Sequence, residues 1–183
     1  MKGLIWNIWG IGNAQSVSRL KFLISKHNLI FVAIIEPKLS INSIEKYRKK
    51  LRMSGFLVNS NERARIWLFW KQPLSVYMVS CSVQHATVNV SSALANNFVL
   101  TIVHASCSLA ERRDLWNYLV DFAATCASPW LVGGDFNSIL DPIEKKGGRR
   151  AFELSMTNFQ ACVSTAGLED AGYSGSSFTW YNG

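Results

Sequence analysis

The feature that most restricts the fold is the unbroken apolar run Leu29-Ile30-Phe31-Val32-Ala33-Ile34-Ile35, which stops at Glu36-Pro37. A strand with no polar side chain on either face must be covered on both sides, and an isolated hairpin or a solvated sheet cannot do that. Pro37 has no N–H to give to a ladder, so the strand is expected to end at Glu36. Upstream, Leu4-Ile5-Trp6-Asn7-Ile8 reads as a second strand and Gly10-Ile11-Gly12-Asn13 as a turn. Residues 14 to 27 place Val17, Leu20, Phe22, Leu23 and Ile24 near helical spacing. A strand, helix, strand unit follows, which points to a layered α/β architecture.

The rest of the chain extends that pattern. A basic helix is expected over residues 40 to 53, then strands over 55–59, 65–71, 76–83, 86–91 and 97–106. Leu109 to Cys126 reads as a helix with Leu115, Leu119 and Phe122 on one face, leading into the strand Pro129-Trp130-Leu131-Val132. A last helix is expected from Phe152 to Thr165 with Gly167 as its stop. An aromatic strand is expected to begin in the tail at Phe178-Thr179-Trp180. With no repeat and no linker, residues 1–183 read as one domain.

Charge adds a hint about partners. The net charge of +7 and pI near 9.4 favour polyanions. The basic residues gather at Lys46, Arg48, Lys49, Lys50 and Arg52 and again at Lys145, Lys146, Arg149 and Arg150. Each cluster reads either as a solvated face or as a phosphate contact. Cys81, Cys107, Cys126 and Cys162 show neither CxxC pairing nor a small-disulfide framework, so free or buried thiols are expected. With no signal peptide and no span of about 20 apolar residues, an intracellular, non-membrane and unsecreted protein is expected, the nucleus being one location. A monomer with no small-molecule cofactor is expected.

Polar residues stand where apolar strands end: Asn7, Glu36, His104 after Ile102-Val103, and Asp135 with Asn137 in Gly133-Gly134-Asp135-Phe136-Asn137. In α/β folds ligands gather beyond strand termini, which makes convergence of this set reasonable. Two positions apart on extended backbone, Asp135 and Asn137 are expected to share one face, and the two glycines admit unusual dihedrals and close approach by a ligand. Carboxylate and carboxamide oxygens suit a hard divalent cation. His104 reads either as a phosphate donor or as a structural histidine. Ser106 lacks a GxSxG elbow and an acid partner, which excludes acyl transfer.

In order, Trp6-Asn7-Ile8-Trp9-Gly10, Ile35-Glu36-Pro37-Lys38, Gly134-Asp135-Phe136-Asn137 and Phe178-Thr179-Trp180 resemble the endonuclease/exonuclease/phosphatase superfamily. The similarity is strongest to the endonuclease-like domain of plant LINE-type retrotransposons. The resemblance implies a four-layer α/β sandwich, two mixed sheets flanked by helices, and phosphodiester cleavage of DNA with Mg²⁺, Mn²⁺ being the alternative ion. It implies Glu36 as the direct metal ligand with Asn7 beside it, Asp135 orienting or deprotonating the attacking water, and Asn137 orienting the phosphate. Trp180 matches an aromatic on the substrate side, where nucleic-acid contact and core packing are both open readings.

The chain also departs from that pattern. His104 stands where many relatives carry a phosphate-contacting Tyr, and Trp9 where they carry Arg or Asp. The C-terminal SDH segment, with its metal-linked Asp and catalytic His, is expected beyond Phe178-Thr179-Trp180, so an incomplete domain lacking its final strands and weak or inactive as an enzyme is expected. The competing readings are a nucleic-acid-binding remnant without catalysis and a phosphatase of the same superfamily.

Overall fold

The computed structural model describes residues 1–62, 64–93, 95–147 and 152–176. The chain divides into two compact units, the first from residues 1–105 and 127–135, the second from residues 106–126 and 136–183.

The first unit holds strands β1 (Gly3–Asn7), β2 (Phe31–Ile35), β3 (Gly55–Val58), β4 (Ile66–Trp70), β5 (Ser75–Cys81), β6 (His85–Ser92), β7 (Ala95–His104) and β8 (Trp130–Asp135), with helices α1 (Ala14–His27) and α2 (Ile44–Lys50). One sheet has the order β1-β2-β4-β3 and the other β5-β6-β7-β8. Both are mixed: β1 and β2 run parallel, as do β7 and β8, and the other neighbours are antiparallel.

Every residue of β2 is buried, and its alternation shows why. Val32 and Ile34 join Val17, Leu20 and Ile24 of α1 and Tyr47 of α2 in one core, while Phe31, Ala33 and Ile35 join Val76, Val88, Leu100 and Ile102 of the second sheet in another. The expected double cover is therefore α1 and α2 on one side and a sheet on the other. Asn59 ties the two sheets' loops together, its Oδ1 accepting from the N–H groups of Arg65 (3.0 Å) and Ile66 (2.9 Å) and its Nδ2 donating to the Ser82 carbonyl (2.7 Å).

Helix α1 begins where Asn13 Oδ1 accepts from Ser16 N–H and ends at Asn28, whose left-handed backbone directs its N–H back to Ile24 and Ser25. Phe22, expected on the apolar face, is 51% exposed because that face follows positions 17, 20 and 24. The basic helix is shorter than expected. A 3₁₀ turn at Ile41–Ser43 precedes α2, and Arg52 in left-handed conformation ends it. Arg48 is held there by Glu45 and by the Met53 carbonyl, and its hydrogen bonds keep the Glu45 carboxyl below the usual carboxylate range.

In the second unit, α3 (Leu109–Thr125) and α4 (Glu153–Thr165) pack through the rings of Trp116, Phe136 and Phe159, with Phe159 4.9 Å from each of the other two. None of the four cysteines forms a disulfide, and burial pushes the Cys162 thiol up to about 11. The expected α/β architecture of two mixed sheets with helices is thus present. Its strand ends differ from expectation by one to three residues, with β7 ending at His104 rather than at Ser106 and β5 at Cys81 rather than at Val83.

Candidate active site

Each sheet contributes one parallel strand pair, and the polar residues lie at the C-terminal ends of those pairs. Asn7 is the last residue of β1, Glu36 follows β2, His104 closes β7 and Asp135 closes β8 in register with it. Two hydrogen bonds join the sheets there. Asn7 Nδ2 donates to Asp135 Oδ2 at 2.7 Å, and His104 Nε2 lies 3.0 Å from Glu36 Oε1. Neither pairing follows from sequence distance, because 128 and 68 residues separate the partners.

Lys38 also stands at the site. Its Nζ is 3.6 Å from Glu36 Oε2 and 3.7 Å from the centroid of the Trp9 ring, so it binds a carboxylate and an indole together. The signal was present in Glu36-Pro37-Lys38, opposite charges two positions apart at a strand end. The two loops carrying these residues are laced by Ile8 N–H to Ile35 O, Gly10 N–H to Glu36 O and Ile11 N–H to Pro37 O.

The glycine pair serves the chain itself. A Cβ on Gly134 would lie 2.0 Å from the Val103 carbonyl oxygen of β7, and its φ of +147° suits few L residues. A Cβ on Gly133 would lie 2.9 Å from Ile5 Cδ1. The close approach expected of a ligand is made by β7 and β1, and it seats Asp135 at the strand end.

The shared face expected for Asp135 and Asn137 is not formed, since β8 ends at Asp135 and Asn137 has φ +46°, outside extended geometry. Trp180 lies outside the described residues. His104 is 4% exposed; among the described residues its buried Nδ1 has no hydrogen-bond partner, while its Nε2 contacts Glu36.

Among the described residues, no three His, Cys, Asp or Glu side chains gather as a metal-binding group. The donors at the strand ends are the oxygens of Glu36, Asp135 and Asn7, a set of hard ligands that fits Mg²⁺ with water completing its shell. The Glu36 side chain, 25% exposed, is accessible for that role.

A two-sheet α/β protein with a polar cluster at the ends of paired parallel strands is the class that this geometry defines. The chain belongs to the Endonuclease/Exonuclease/phosphatase family, which it matches over residues 4–183. Its structure is similar to the endonuclease domain of TRAS1, a telomere-specific non-LTR retrotransposon, with TM-score 0.70 and 12% identity over 93% of this chain and 75% of that one. It is similar to the AP endonuclease LMAP from Leishmania major, with TM-score 0.68 and 12% identity over 88% of this chain and 65% of that one. It also resembles D. rerio TDP2 complexed with single strand DNA product, with TM-score 0.56 and 15% identity over 92% and 66% of the two chains. Identities this low establish a shared fold. No curated protein matches the sequence. Among the described residues no helix is long and apolar enough to cross a membrane.

Proposed function

We propose that the chain is a phosphodiester hydrolase of the endonuclease kind, acting on DNA with Mg²⁺. The observation that carries this reading is the double bridge between the sheets, Asn7 to Asp135 and Glu36 to His104, which gathers two carboxylates and a carboxamide at one set of strand ends. The family membership supports the reaction class.

Asp135 is the group that orients or deprotonates the attacking water. Donation from Asn7 Nδ2 fixes one of its oxygens and so fixes the direction of the other. Glu36 holds the cation, with Asn7 beside it, and buried His104 limits the carboxylate to one arrangement. Asn137 is assigned to phosphate orientation. A Mg²⁺ ion held there by Glu36 would neutralise phosphate charge and stabilise the leaving oxygen. Lys38, already at Glu36, competes with the cation for that carboxylate.

The test is nicking of supercoiled plasmid with Mg²⁺ or with EDTA, by the protein as it stands and by Asp135→Ala and Glu36→Gln. Weak nicking is expected, and only with Mg²⁺, and loss of the base should lower it about 100-fold or more. Nicking that survives Asp135→Ala refutes the assignment. A second reading, nucleic-acid binding without cleavage, is favoured by the ammonium lying on Glu36. It is recognised by binding that weakens steeply with salt while no plasmid is nicked in Mg²⁺.

A further inference from the structure

We infer that Trp9, steadied by Lys38, is a stacking platform for an unpaired nucleobase next to the reacting phosphate. This rests on the nuclease reading and adds to it the form of nucleic acid the site takes.

Trp9 is 74% exposed, and a single exposed aromatic is ordinary on a protein surface. Its backbone is not ordinary. Trp9 has φ +50°, a left-handed conformation that costs a bulky L residue free energy, whereas Gly or Asn would meet the same turn with less strain. Neither core packing nor the turn accounts for an indole here.

The ring is nonetheless held in place. Flanking hydrogen bonds from Ile8, Gly10 and Ile11 tie its loop to residues 35–37, and fully buried Ile11 anchors it from below. Lys38 Nζ lies against one face, leaving most of the ring in solvent. Glu36 and Lys38 also have positive φ, at +52° and +53°, so three strained residues in two laced loops hold an aromatic plane, an ammonium and a carboxylate together.

A flat ring held rigid loses little entropy when it stacks, and stacking is tolerant of sequence because every base has a π-face. The Lys38 ammonium, between ring and carboxylate, supplies the charge that a base-linked phosphate requires. In an intact duplex both faces of an internal base are already stacked, so the platform takes single-stranded or extruded bases.

The experiment measures binding of a single-stranded oligodeoxynucleotide carrying 2-aminopurine, in EDTA, by anisotropy and by quenching of the 2-aminopurine. Trp9→Ala should weaken binding about 5- to 100-fold and abolish much of the quenching, while Trp9→Phe retains most of both. A blunt duplex should bind both variants as it binds the unsubstituted protein. Lys38→Met should lower the slope of log affinity against log salt by about one. Melting curves check that each variant is folded. Equal binding by Trp9→Ala, equal losses on duplex and single strand, or no binding by the unsubstituted protein would overturn the inference. Because binding is read without Mg²⁺, its failure is separable from that of the hydrolase reading, which is tested by Asp135→Ala in the nicking assay.

Discussion

Gly134→Ala is the substitution for which the structure gives the firmest magnitude. The added methyl carbon would stand 2.0 Å from the Val103 oxygen, 2.8 Å from its nitrogen and 2.9 Å from its carbonyl carbon, where ordinary contact begins at 3.4 Å. These are backbone atoms of the paired strand, so relief requires β8 to move away from β7 by more than an ångström. The neighbouring ladder hydrogen bonds are then lost at about 1 kcal/mol each, and an alanine at φ +147° adds about 1–3 kcal/mol. The total is about 3–5 kcal/mol, which for a chain of this size lowers Tm by about 10 °C. Asp135 follows directly, so its bond to Asn7 should fail and nicking should fall even below the new melting temperature. Gly10→Ala is the control: φ there is +115° and, among the described residues beyond its chain neighbours, no heavy atom lies within 4 Å of the added carbon, so only a conformational cost of about 1–2 kcal/mol applies. Urea and thermal unfolding followed by circular dichroism measure both. Equal effects of the two substitutions, or a Gly134→Ala protein within about 0.5 kcal/mol of the original, would refute the close-approach argument.

Asn7→Ala removes a solvent-exposed hydrogen bond to a carboxylate, so unfolding free energy should change by no more than about 1 kcal/mol while nicking falls about 10- to 100-fold. Equal losses in both would make Asn7 merely structural. Asn59→Ala strips three hydrogen bonds, two within the β3–β4 connection and one across to Ser82 of the other sheet, and should cost about 3 kcal/mol by urea titration. His85, buried with Ser82 Oγ 2.8 Å from its Nδ1, has its pKa lowered by desolvation from 6.5 to about 4. As pH falls below 6.5 the unfolded chain takes up a proton that the folded chain refuses until about pH 4, so stability declines across that window. The decline should be about 2 kcal/mol after allowance for screening, and His85→Gln should flatten it in unfolding measured at successive pH values.

Strands were legible wherever apolar runs met a breaker. Leu29 to Ile35 required cover on both faces and received it, and Pro37 and the strand-end polar residues marked where ladders stop. Boundaries slipped where a local bond overruled composition, as at α2, which Arg52 and the Arg48 contacts end before residue 53. Asp135 and Asn137 do not share a face, because period-2 alternation holds only while the strand lasts and β8 ends at Asp135.

By itself, then, the sequence determined the local elements, the family, and which side chains stand at strand ends, because these depend on periodicity, breakers and short motifs. Only the tertiary structure decided their partners: Asn7 with Asp135, Glu36 with His104, and Lys38 shared between Glu36 and Trp9. The first two pairs are fixed by strand order and the stacking of two sheets, and the third by two loops laced through backbone bonds. No pattern along one chain encodes such contacts, since they arise from where distant strands stop relative to one another.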